Sequence, residues 1–211
     1  MERNIKGSAL AIFLISSLLP LKFCEAADIG KILSAAKQGD PKAEDQMGNY
    51  YSNSFGYPTP PNNIPKAIYW YRKAAEQGNA DAEVNLSSYY QSGVPSLGIR
   101  KNYSIAHQWA LKSALQGNAS AEHVLGSDYY RGHGVPIDYA KACYWWRKSA
   151  AQGDANAEYR LGKAYQSGQG VEQNQDQANF WLNKAAAKGV MSLRRTLAKD
   201  NKQLQNSGGF R

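Results

Sequence analysis

The sequence predicts an all-α fold, an α/α superhelix (solenoid) of stacked antiparallel helix pairs, and three regularities predict it. A Gln-Gly turn signal recurs as Gln38-Gly39, Gln77-Gly78, Gln116-Gly117 and Gln152-Gly153, with an echo at Lys188-Gly189. These glycines are spaced 39, 39, 36 and 36 residues apart. Between them, an Ala is followed at four-residue steps by Met47, Leu86, Leu125 or Leu161 and then by Tyr51, Tyr90, Tyr129 or Tyr165, one face of a helix. A second helix follows, with Trp70, Trp109, Trp145 and Trp181 each three residues after an Ala and three before a Lys. Such periods of 20–50 residues mark arrays in which each unit buries its apolar face against its neighbours.

Taken in order, the chain opens on a charged start, Glu2 to Lys6, and an apolar run from about Ala9 to Leu21. That run falls short of the ~20 residues a membrane-spanning helix needs. With small residues at Cys24–Ala26 it reads as a secretory signal peptide over residues 1–26, cleaved after Ala26. Lys22-Phe23 lacks the small residue that lipid attachment at Cys24 would need. Residues 27–39 read as an N-terminal capping helix, half of a degenerate repeat. Four repeats follow at 40–79, 80–118, 119–154 and 155–189. From Tyr to the second-helix Ala is 16 residues in the first two and 13 in the last two, so three extra residues lie in the inter-helix loop. The first repeat fills that loop with the Pro-rich stretch Tyr57–Pro65. The second has Ser87 where the others have Gly, and Ala110-Leu111 after its Trp. Residues 190–211 read as a C-terminal capping helix and a disordered basic tail.

The pattern A-x3-L-G-x2-Y, then G-x-G-V, then A-x2-W-x2-K-A-A-x-Q-G, resembles the Sel-one-like repeat family, relatives of the tetratricopeptide repeats. The third and fourth repeats fit it best. The resemblance implies a right-handed superhelix serving protein–protein interaction. One branch of that family clamps each repeat with a disulfide and is linked to penicillin binding and β-lactamase activity. This chain has two cysteines, and signal cleavage would leave Cys143 alone. The disulfide-dependent activity is therefore not expected, and Cys143 reads as a small packing residue.

No motif carries catalysis. His107, His123 and His133 stand apart with no metal-ligand spacing, and His133, in the Gly132-His133-Gly134 turn, reads as solvated. No catalytic residue, metal site or cofactor is assigned. The recurring Glu44, Glu83, Glu122 and Glu158 are expected to favour the positive end of each first helix, and Lys73, Lys112, Lys148 and Lys184 the negative end of each second. The Ala, Leu, Tyr and Trp columns are expected to form the core.

The net charge of +8, or +7 once the signal is removed, suits an acidic partner or an anionic envelope surface. Nucleic acid would suit the charge but not an exported protein. The function expected is an exported scaffold, periplasmic or secreted, that binds a protein or peptide through its concave face. A cell-envelope enzyme or a peptidoglycan- or glycan-binding accessory protein is the alternative. Turning each first helix by ~100° per residue from its Leu leaves one row opposite the core. In repeats three and four that row holds the candidate binding residues His123, Ser127, Tyr130, Tyr159, Lys163 and Gln166.

Overall fold

The computed structural model describes residues 28–52 and 63–188. The expected signal peptide, most of the Pro-rich loop and the expected C-terminal cap and tail lie outside the described residues. Those described carry nine α-helices: α1 (residues 28–37), α2 (Pro41–Ser52), α3 (Ile64–Glu76), α4 (Ala80–Ser92), α5 (Tyr103–Leu115), α6 (Ala119–Arg131), α7 (Tyr139–Ala151), α8 (Ala155–Ser167) and α9 (Gln175–Ala187). They contain no strand beyond an isolated bridge between Val94 and Ile99, so the fold is all-α, a helical-repeat solenoid. They fall into two compact units, one holding α1–α3 and the other α4–α9. In the second unit α4 pairs with α5, α6 with α7 and α8 with α9, while α5 abuts α6 and α7 abuts α8.

Helices α2 to α9 each start where an Asn or Asp can satisfy a free N–H group. Asn79, Asn118 and Asp154 cap α4, α6 and α8 by accepting from the N–H three residues on, and Asn102, Asp138 and Asn174 cap α5, α7 and α9. Such caps contribute about 0.5–2 kcal/mol each. The second-helix cap also closes the loop: its backbone N–H donates to the carbonyl of the recurring Tyr, as Asn102 to Tyr90, Asp138 to Tyr129 and Asn174 to Tyr165. The three extra residues of the second repeat leave this bond unchanged. They are taken up in a 3-10 turn, Pro95–Leu97.

Inside each pair one small residue admits one large one. A Cβ on Gly126 would lie 2.3 Å from Trp146 Cδ1, one on Gly48 2.5 Å from Tyr71 Cδ1, and one on Gly162 2.8 Å from Leu182 Cγ. In the second repeat the same register holds Ser87 and Ala110, both fully buried, a larger notch residue matched to a smaller knob. The core therefore rests on the residue after the recurring Trp: Tyr71, Ala110, Trp146 and Leu182 are 1%, 0%, 2% and 4% exposed.

This corrects the expected role of the Trp column. Trp109, Trp145 and Trp181 are half-buried, and Trp145 and Trp181 face the preceding repeat. Trp145 packs on Ala110, Ala114, Ala121 and Leu125, and Trp181 on the cluster of Ala142, Cys143, Trp146 and Ala150. Trp70, more deeply buried, joins Ala36 of α1. Within the second unit, Trp145 and Trp181 thus join repeat to repeat. The second glycine of G-x-G has a similar duty. Gly134, at φ +76°, leaves a Cβ position 2.4 Å from Tyr103 O, and Gly170, at φ +77°, one 2.2 Å from Tyr139 O. No side chain fits there.

Candidate functional site

The charged columns are more than terminal decoration. Glu44, Glu83, Glu122 and Glu158 are 0–3% exposed. Each meets the end of the second helix of its own repeat. Gln77, Gln116 and Gln152 donate through Nε2 to Glu44, Glu83 and Glu122 at 2.6–2.8 Å. In the fourth repeat Lys188 replaces the glutamine and donates to Glu158 Oε1 at 2.7 Å and to Gly153 O at 2.8 Å. Lys73, Lys148 and Lys184 bridge the same carboxylates at 3.5, 3.0 and 3.2 Å and lie over the rings of Trp70, Trp145 and Trp181. Lys112 instead settles 4.3 Å from the Trp109 centroid, and burial pushes the Glu83 carboxyl up, with Lys112 and Gln116 opposing. Helix-end charge alone, the expected role, omits these pairs. A buried carboxylate needs such donors.

The histidines are not bystanders either. His107 is buried, with Nδ1 3.0 Å from Asp128 Oδ2, and Gln91 Nε2 donates to the other oxygen at 3.1 Å. Three helices, α4, α5 and α6, thereby meet at one buried carboxylate. Among the described residues no hydroxyl or thiol nucleophile bonds His107, and no three His, Cys, Asp or Glu side chains gather as a metal set. His133 is not solvated as expected: its ring stacks on Tyr103 at 3.9 Å between centroids. Cys143 is buried and free, its Sγ directed at Gln169 O, and burial raises its thiol pKa.

The arrangement able to receive a partner lies on α6–α8. A cleft of about 270 Å³ is lined by Tyr130, Trp146, Ala164, Arg160, Lys163, Gln166, Ser167 and Gln169. Tyr130 leans on Trp146 and Tyr139, with centroids 5.5 Å apart in both cases. Lys163 Nζ donates to Gln166 Oε1. Arg160 rests on the Tyr159 ring and has no carboxylate within bridging distance among the described residues. Of the six residues the helical period singles out, Tyr130, Lys163 and Gln166 line this cleft. His123 and Ser127 sit half-buried on α6 outside its lining, and Tyr159 packs against Leu182, Ala185 and Ala186 of α9. Burial lowers the His123 pKa, Arg160 and Arg131 add to that, and Asp154 opposes. Arg160 and Gln169 escape the sequence reading. Arg160 precedes Leu161 and so flanks the outward row, while Gln169 belongs to the turn after α8.

Similarity to known proteins agrees with this architecture. The Sel1 repeat family model matches residues 41–79, 80–118, 119–154 and 155–190. Comparison with curated proteins found no match. Among solved structures, a Sel1 repeat protein from Oxalobacter formigenes is 31% identical with a TM-score of 0.73, the alignment covering 83% of this chain and 69% of that one. The protective antigen c5321 of uropathogenic Escherichia coli, which displays an SLR fold, is 33% identical with a TM-score of 0.71 over 80% of this chain. The chain spans about a third, 35%, of that antigen's length. With four matched repeats covering most of its length, the chain belongs to the Sel1 repeat family.

Proposed function

We propose that this Sel1 repeat scaffold is exported and binds a protein or peptide partner along the concave face of its first helices, at the cleft on α6–α8. One observation carries the reading: Tyr130 on α6 and Lys163 and Gln166 on α8, 33 and 36 residues apart in sequence, line one cavity. Aromatic and cationic side chains beside amides are the groups that anchor interfaces. Export rests on the charged start and apolar run that precede the repeats.

A photo-crosslinking residue placed at Gln166 in cells making the full chain should yield a discrete adduct, and the same residue at Phe180 should not. Phe180 is 55% exposed, so access alone does not separate the two sites. Adducts at Phe180 with none at Gln166 would move the binding surface off this face. Export is checked separately: the protein recovered from periplasm or medium should begin at Ala27, and a retained Met1 would overturn it.

A further inference from the structure

The cleft has a cationic lip and an apolar wall, and its cations differ from those of the second helices. On the second helices, Lys148 and Lys184 end on the buried carboxylates of Glu122 and Glu158. On and beside α6 and α7, Asp128 is held by His107 and Gln91, Asp138 pairs with Lys141, and Asp154 accepts from the N–H of Ala157. Arg160 has only the Tyr159 ring, and Lys163 only the Gln166 amide. Arg131, at the end of α6, has no carboxylate partner among the described residues and joins Arg160 in holding the His123 pKa down. Among the described residues, Arg160 and Lys163 at the cleft form no ion pair. The wall of the cleft is Tyr130, Trp146 and Ala164, and Gln169 lies at its rim. At ~30 Å³ per water, its volume equals about nine waters, room for one or two side chains.

We infer that the occupant of this cleft is an extended peptide segment carrying an Asp or Glu side chain beside an apolar one. The carboxylate lies against Arg160 and Lys163, and the apolar side chain against Tyr130 and Trp146. This rests on the reading of α6–α8 as the binding face. Arg suits the role because its planar guanidinium meets a carboxylate through two parallel N–H donors, whereas a lone Lys offers a point charge. A basic or uncharged segment would leave Arg160 and Lys163 at the cleft without a counter-charge.

The test is selection of random heptapeptides from a display library on the immobilised full chain, run in parallel on Tyr130→Ala and on Arg160→Glu/Lys163→Glu. The wild type should enrich Asp or Glu adjacent to Leu, Ile or Phe. Synthesised winners should bind Arg160→Glu/Lys163→Glu at least ~10-fold more weakly, a change of about 1.4 kcal/mol. They should also weaken as salt rises through the range where the Debye length falls below ~10 Å. Should the double reversal lose helical circular dichroism, Arg160→Gln/Lys163→Gln replaces it with the same expectation. Winners that need Tyr130 but show no acidic preference overturn the acidic occupant and leave the binding face standing. Winners indifferent to both variants, or no enrichment at all, overturn both.

Discussion

Two sets of positive side chains occupy one helical stack under opposite conditions. At the ends of the second helices, Lys148 and Lys184 reach carboxylates that are at most 1% exposed and lie across tryptophan rings. On the first-helix face, Arg160 and Lys163 line the cleft and pair with no carboxylate among the described residues. The chain's surplus charge is thus not spread evenly: the clamp cations are consumed within the fold, and the cleft cations are left for something outside it. A group that the fold already satisfies stabilises it, and a group left unsatisfied at a concavity is available for binding.

The comparison breaks most visibly at the knobs that set the clamp geometry. Trp146→Ala should lower unfolding free energy by about 3–5 kcal/mol in urea titration, while Trp145→Ala, half-buried, should cost clearly less. Equal losses would return the recurring Trp column to the core. Next, Glu122→Ala should cost about 1–3 kcal/mol, because Gln152 Nε2 loses its carboxylate acceptor and Lys148 its counter-ion. Arg160→Ala, by contrast, should stay within about 0.5 kcal/mol of wild type in the same titration. A cost for Arg160 matching that of Glu122 would mean the cleft cation is structural.

Finer changes sharpen the contrast. Lys188→Gln gives the fourth repeat the same clamp as the others, and with Lys184 still in place the melting temperature should move by no more than a degree or two. The smallest effect concerns acid. His123 is held neutral by burial with Arg160 and Arg131, so its folded pKa lies below the ordinary ~6.5. The unfolded chain then binds the proton more readily, and this contribution to stability is present above pH ~6.5 and lost as pH falls below it. His123→Gln should therefore shrink the drop in melting temperature between pH 7.5 and 5.5. An unchanged drop would place the acid sensitivity elsewhere.

Much of the fold was legible because repetition prints the same physical requirement several times. The Ala, Leu and Gly columns of the first helices follow the 3.6-residue period, and the Gln-Gly steps mark turns at φ +83° to +93° for Gly78, Gly117 and Gly153. The Trp column misled because two consecutive residues, Trp145 and Trp146, lie ~100° apart on the helix, and both directions are apolar in a stack with neighbours on two sides. The glutamates misled for another reason. A carboxylate in a first turn already has a local explanation in the helix dipole, which hides a partner 30 or 33 residues away. At the candidate site, period alone separated Tyr130, Lys163 and Gln166 from the core face. It could not show that Tyr159 turns to α9, nor that Arg160 reaches the cleft from the flank.

The notch and knob of each repeat lead to a statement about copying rather than energy. Gly126 with Trp146, Gly162 with Leu182 and Ser87 with Ala110 are matched inside one repeat, so a duplicated segment of 36 or 39 residues brings both halves of its own fit. What must agree across a new junction is narrower: a glycine such as Gly134 or Gly170 beneath the backbone of the preceding second helix, and an aromatic ring laid on it. A chain written this way can lengthen by whole cassettes, and each cassette is free to drift inside as long as its two edges keep the common grammar.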